Sequence, residues 1–557
     1  MPRPMFLRAL SITLAALTAC SDDMPVLPDG GAPAPDAGFS LDAAPSGNAI
    51  SRGESLFRGL RCANCHGVDG QGAPTFPGAP TIIGRTAEDI RAVLVAPCDD
   101  PSPGGGCHPL KFPEVSTQQL DDLAAYLAAL AADSPDDPGP PCDVVPGNIC
   151  TLAGTGNAGN KKLAGILARQ QTLFWPQNVT VDPQGRVVIT DWNNYLIRRI
   201  EREGCRDGDC PITNLLGTSA LGDECSTPSR PVMAAAMGMN HPVGVDYLPN
   251  GDMVLWGWHM WKIKYIPMSP DGTPGVALCL FGNARGFAGD GLEAGTNFNG
   301  MGGPTRFNLP SSALLDNDGN WWISDQGNLR LRIVRPNAND RPPPPATSAE
   351  EYVASLRDNV ITTLAGGEPI GPTGEHRRTL PNYSDSGDGG PLAAATFRVQ
   401  FGFDAIPQMR MAYDRTRDLI YVADAENHRI RIIDRSRDPW TIDTFAGGGE
   451  DVVADDADAR AARLYRPGDV DVIPDGSGDV LITDTYNNCI RVVDFASRRI
   501  RTVAGICGEE TYGYEGDGGP AIAAKLSEPG GAGAGPDRTI YIADTLNHRI
   551  RKVNPKP

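Results

Sequence analysis

At 557 residues the chain has room for two or more hydrophobic cores, and its 65 Gly and 50 Pro against 6% aromatic residues point to many turns and short strands. A formal charge of −19 argues against nucleic acid, whose phosphates it would repel, and leaves other partners open. Arg3 and Arg8 lead into an apolar run from Ala9 to Ala19, too short to span a bilayer permanently, so residues 1–19 read as an export signal. No later segment of the sequence is long and apolar enough to be read as a membrane span.

The run ends in Leu17-Thr18-Ala19-Cys20, which resembles the lipobox of bacterial lipoproteins. The resemblance implies cleavage before Cys20 and lipid on its thiol. The mature protein would then hang from a membrane of the bacterial envelope, facing the periplasm or the outer surface. An ordinary secretory peptide with a chance cysteine is the alternative. Residues 20–48 are rich in Pro, Ala, Asp and Gly and read as a disordered tether.

Residues 49–133 form a compact unit of helices, expected at Ile50–Leu60 and at Thr117–Ala132, where Leu120, Leu123, Leu127 and Leu130 recur at helical spacing. Between them lies Cys62-Ala63-Asn64-Cys65-His66. Two thiols on one helical turn can form thioethers to both haem vinyl groups, and the adjacent imidazole can reach the iron. Cys-x-x-Cys also serves zinc and thiol redox sites, but an export signal suits covalent haem c. With Gly53, Phe57, the Cys62–His66 motif and Tyr126, the unit resembles a class I cytochrome c domain over nearly all its length. That resemblance implies crossed terminal helices, Phe57 against Tyr126, and a second iron ligand from a Met-Pro-x-Phe-like segment. Here the segment reads Cys107-His108-Pro109-Leu110-Lys111-Phe112-Pro113, with His108 in the methionine position. The chain has no methionine between Met24 and Met233, so His66 and His108 are the expected axial ligands. A solvent-facing His108 is the alternative.

Of the 13 cysteines, Cys20, Cys62 and Cys65 have these roles, and ten remain in an oxidising compartment. Proximity suggests Cys98–Cys107, Cys142–Cys150, Cys205–Cys210, Cys225–Cys279 and Cys489–Cys507, although sequence alone does not prove connectivity. Residues 134–147 are a Pro-rich linker.

From residue 148 to 557 the chain repeats. One phrase appears as Thr151-Leu152-Ala153-Gly154, Thr363–Gly366, Thr444–Gly447 and Thr502–Gly505. Another ends in Asp191, Asp325, Asp424, Asp484 and Asp544, each followed by an alternating strand carrying Arg198, Arg332, Arg431, Arg491 or Arg551. A degenerate copy spans Leu255 to Lys264, which makes six units. Short alternating strands in repeated units mean a propeller or solenoid. Asp424–Arg431, Asp544–Arg551 and the Gly-Asp-Gly-Gly-Pro phrases at Gly387–Pro391 and Gly516–Pro520 closely resemble the NHL repeat. The resemblance implies an all-β six-bladed propeller behind the small all-α domain. The last unit stops before its Thr-x-Ala-Gly strand and the first begins with a spare one, so Ile149–Gly154 is expected beside Ile550–Val553.

The recurring aspartates read as buried partners for the arginines rather than a metal ring. Gly-Asp-Gly-Gly-Pro lacks the ligands of a phosphate or calcium loop and reads as a tight turn before a short helix. His428 and His548 hold ordinary repeat positions, whereas His241 and His259 lie in the divergent second unit with Trp256, Trp258 and Trp261. That cluster is a candidate ligand or partner site, with core packing as the alternative. Some NHL-like propellers are peptide-amidating lyases with central zinc-binding histidines in Pro-His phrases. Four corresponding phrases of this chain, Trp175–Asn178, Leu309–Ser312, Arg466–Asp469 and Glu528–Gly531, contain none. The reading is therefore an electron-transfer protein whose propeller docks a redox partner protein or a small ligand. The alternative is a quinone-cofactor sugar or alcohol dehydrogenase feeding its own haem.

Overall fold

The computed structural model describes residues 145–554, apart from 161–164, 206–208, 228, 288–289, 292–304, 339, 342, 345–346, 357–358, 367–386, 400–406 and 452–454, together with Asp121 and Ala124. The chain divides into two compact units, residues 1–137 with 157–159 and the remainder. Asp121 and Ala124 are helical, inside the span expected to form the final helix of the first unit. The signal, tether, first helix and Cys98–Cys107 lie outside the described residues.

The second unit is a ring of six antiparallel sheets. Blade one is Pro176–Val181, Val187–Asp191, Leu196–Ile200 and Ile212–Leu216. Blade two is Pro242–Tyr247, Met253–Gly257, Ile263–Ile266 and Leu278–Phe281. Blade three is Pro310–Leu315, Trp321–Asp325, Arg330–Val334 and Ile361–Gly366. Blades four and five open on Met411–Asp414 and Asp469–Val472, and each gains a two-residue edge strand, Gly390–Pro391 and Ala457–Asp458. In each blade the first strand packs against the first strands of both neighbouring blades, so these strands encircle the axis.

Blade six closes the ring as expected. Gly531–Ala534, Ile540–Asp544 and Arg549–Val553 are followed in the sheet by Ile149–Ala153, which runs antiparallel with Ile149 opposite Val553 and Ala153 opposite Ile550. Gly154 ends this strand at φ +95°, where a Cβ would stand 2.2 Å from the carbonyl oxygen of His548. The exit of the fourth strand, pressed against the residue that opens the third, thus demands glycine, which explains why each strong Thr-x-Ala-Gly phrase ends in one.

Each sheet has neighbours on both faces, so its second and third strands are largely buried on both faces. Val187–Asp191 and Val480–Asp484, for example, are buried throughout. The core is consequently six layers, one between each pair of blades. Blade three adds an α-helix, Ala349–Ser355, that the repeat pattern did not announce. Ser348 Oγ caps it by accepting from the Glu351 N–H at 3.1 Å, and Tyr352 and Val353 enter the layer between blades two and three. Cys205–Cys210, Cys225–Cys279 and Cys489–Cys507 are bridged as proximity suggested, and Cys150 is also disulfide-bonded.

Candidate functional site

The haem motif residues Cys62, Cys65 and His66, the proposed ligand His108 and the lipidation candidate Cys20 lie outside the described residues. The donor set itself fits haem c: two thiols for covalent attachment and an adjacent imidazole for iron.

In the propeller the repeated aspartates are structural. Asp544 is fully buried; Oδ1 accepts the Ser527 N–H at 2.8 Å, and Oδ2 lies 2.9 Å from Asn547 and 3.1 Å from Arg551. Blades one, three and five repeat the bond to the strand entry through Asp191, Asp325 and Asp484. Burial pushes the carboxyls of Asp325, Asp424 and Asp484 up to about 6, against the pull of their arginines. The Gly-Asp-Gly-Gly-Pro aspartates give the same arginines a second carboxylate: Asp388 for Arg431 at 2.7 Å and Asp517 for Arg551 at 2.5 Å. The short helices expected after those phrases are Leu392–Ala394 and Ala521–Ala523. His428 and His548 are scaffold, because their Nδ1 atoms accept the backbone N–H groups of Arg466 and Trp175 in the next blade, both at 3.2 Å. Asn488 performs the same task for Glu528 at 2.9 Å.

The ring centre is tied by a residue that no sequence phrase marks. Arg410, fully buried ahead of blade four's first strand, donates to the carbonyls of Gln177 and Gly530 at 3.0 Å and Val243 at 3.2 Å. It also lies 3.4 Å from Asp469 of blade five, whose carboxylate receives Asn178 of blade one at 3.0 Å. One guanidinium thus bridges blades one, two, five and six. Two further carboxyls on first strands, Asp246 and Asp471, are raised by burial, Asp471 to about 7 with added repulsion from Asp469.

Blade two departs from the repeat at each corner position. Gly257 stands for the aspartate, Met260 for the asparagine and Lys264 for the arginine. A Cβ on Gly257 would lie 2.4 Å from Met260 Cε, so the thioether fills the space a carboxylate takes elsewhere. Lys264 is fully buried and donates to the Glu224 carbonyl at 2.7 Å; burial lowers its ammonium to about 7. His241, at φ +47° before the first strand, and His259, in the single-turn helix Trp258–Met260, meet at 2.9 Å between their Nδ1 atoms. Burial, with repulsion from His259, holds His241 well below the usual imidazole range. Trp192 and Trp258 stand edge-on at 5.2 Å between centroids, and Trp192 lies 5.5 Å from His241. The structure therefore gathers His241, His259, Trp258 and Trp261 as the sequence suggested, sends Trp256 into the core layer between blades two and three, and adds Asn240 and Trp192, which no repeat phrase marks.

Residues 50–131 match the cytochrome c family model. They are a cytochrome c domain, and that domain points to electron transfer through covalently held haem c. The propeller region is similar to NHL repeat-containing protein 2 of Homo sapiens, 24% identical over 366 residues, covering 64% of this chain and 43% of that protein. The chain thus spans less than half the length of that curated relative. Among solved structures, an auxiliary nutrient binding protein from Bacteroides thetaiotaomicron has a TM-score of 0.42 at 14% identity, covering 72% of this chain and 75% of its own. A virginiamycin B lyase from Staphylococcus aureus has a TM-score of 0.33 at 14% identity, covering 68% of this chain and 96% of its own. The six-bladed fold rests on the sheets described above.

Proposed function

We propose that this chain is a membrane-anchored c-type cytochrome that carries single electrons, with a propeller that docks a protein partner or small ligand. The observation that carries the reading is the cytochrome c domain at residues 50–131, which encloses Cys62-Ala63-Asn64-Cys65-His66. When bound, haem c supplies a one-electron iron couple. In this reading Cys62 and Cys65 hold the porphyrin covalently, His66 and His108 supply axial nitrogens, and lipid on Cys20 keeps the chain at the envelope. A Cys98–Cys107 bridge would limit the entropy lost when the His108 loop is fixed. Imidazole donates to iron more strongly than a thioether, so this pair places the potential below that of a methionine-ligated relative.

The docking role has a structural support. Arg410 joins four blades at the axis through hydrogen bonds and its ion pair, which leaves the broad loop faces as the surfaces to offer a partner.

The test uses the purified, haem-loaded chain. A low-spin bis-imidazole spectrum that ignores carbon monoxide is expected, with His108→Met raising the potential and His108→Ala admitting carbon monoxide. Ready binding of carbon monoxide by the wild type would remove His108 from the iron. The oxidised protein is then given a quinone cofactor, calcium and a panel of sugars and alcohols. Rapid substrate-dependent reduction of the haem would replace the docking role with a dehydrogenase.

A further inference from the structure

The turn entering blade two and the turn crossing it place two further donor atoms beside His241 Nδ1. His241 Nδ1 lies 2.9 Å from His259 Nδ1 and 2.6 Å from Asn240 Oδ1. An imidazole nitrogen offers one proton or one lone pair, directed along a single line in the ring plane. The two rings stand at 86° to each other, and His241 Nδ1 has only that one line for two close neighbours. A cation satisfies all three atoms together.

The spacing also discriminates between coordination geometries. Two nitrogens bound to one metal at about 2.1 Å stand roughly 3.0 Å apart at right angles and roughly 3.4 Å apart at the tetrahedral angle. The observed 2.9 Å between the nitrogens fits the right angle, and the 2.6 Å from His241 Nδ1 to Asn240 Oδ1 lies further still from the tetrahedral value. Right-angled sets of nitrogen and oxygen belong to tetragonal or octahedral sites rather than to tetrahedral structural zinc, and among divalent first-row metals Cu(II) binds such donors most tightly. We propose that Asn240 Oδ1, His241 Nδ1 and His259 Nδ1 bind a divalent transition metal in a tetragonal site on blade two.

Three features of the surroundings support the assignment. Both histidine residues keep part of their surface exposed, which leaves an ion a route to the turn. The backbone N–H of Trp258 donates to the His241 carbonyl at 3.1 Å, which locks the two turns together and pre-positions the donors. The neighbouring indole N–H groups of Trp192 and Trp258, 7% and 5% exposed, have no acceptor among the described residues. A water or anion completing the metal's coordination would supply one.

The experiment takes the full haem-loaded chain, strips it with chelator and dialyses it against Cu(II). Metal is counted against haem iron, and the copper is observed by electron paramagnetic resonance. One copper per haem is expected, with an axial signal split by two nitrogens. His259→Ala should weaken binding at least tenfold and remove one nitrogen coupling, and Asn240→Asp should tighten it by adding charge. Thermal melting reports whether each variant is folded; should His241→Ala fail to fold, His259→Ala, in a partly exposed turn, decides alone. A wild type that takes up no copper would overturn the proposal. So would a folded His259→Ala that keeps both the affinity and the two-nitrogen pattern, because the metal would then sit on other residues.

Discussion

In blade six, Arg551 is fully buried with Asp544 at 3.1 Å and Asp517 at 2.5 Å; in blade two the same repeat position holds Lys264, also fully buried, beside a glycine where the aspartate belongs. Blade six is held by charges that complete each other. Blade two has kept the cation and lost its corner carboxylate, filling the space with Met260 and gathering imidazoles and indoles nearby. A polar corner that recurs in every other blade can evidently be dissolved without losing the sheet, because the apolar layers on both faces still define it. What the corner's loss frees is the turn beside it.

The most severe break of this contrast removes the strand that completes blade six. Deleting residues 148–155 takes away the partner of Arg549–Val553 and should cost on the order of 5–10 kcal/mol, comparable with the net stability of a whole domain. Loss of the propeller's cooperative thermal transition is the expected result, and an unchanged melt would exclude this closure. Next in size is Arg551→Leu, which leaves Asp544 and Asp517 buried without their cation and should destabilise by about 3–5 kcal/mol in denaturant titrations.

Lys264→Met at the matching position should act with the opposite sign, stabilising by about 1–3 kcal/mol at pH 7. Its pH dependence follows from the lowered ammonium. The fold favours the neutral amine, so Lys264's contribution is intact above its ordinary 10.5 and is lost as pH falls towards about 7. The advantage of the Lys264→Met variant should therefore shrink as pH approaches 10.5, and an advantage independent of pH would point to packing instead. The smallest effect concerns the turn residue that clamps the next blade, His428 in blade four but Trp261 in blade two. His428→Ala should cost about 1 kcal/mol at pH 8. Burial lowers His428, so its contribution is full above 6.5 and is lost as pH falls below that value. Wild type and variant should therefore converge in acid.

The regular blades were legible because their logic is local. Aspartate, asparagine and arginine at fixed offsets meet within one hairpin, and the spare Thr151–Gly154 phrase announced the closure. The ring centre was not legible: Arg410 sits in no phrase, and its partners at Gln177, Val243 and Gly530 are joined only by closing the ring. Blade two was legible as a departure, since the cluster of His241, His259 and three tryptophans is visible in the sequence. Asn240 was not, because its importance depends on the angle between two turns. The helix Ala349–Ser355 also escaped, although Ser348 and Glu351 form a recognisable capping pair, since seven residues carry too little periodicity to stand out.

Joining Ile149–Ala153 to Arg549–Val553 also sets an order of events during synthesis. The paired residues Cys150 and Lys552 are 402 positions apart, so at about 5–20 residues per second the first strand waits on the order of 20–80 s for its partner to be made. Throughout that interval Ile149 and Ala153, both fully buried in the finished ring, have no sheet to enter. The cytochrome domain, encoded ahead of them, is free of that delay. The nascent propeller is therefore the part of this chain that needs protection from sticking to other strands until its last residues emerge.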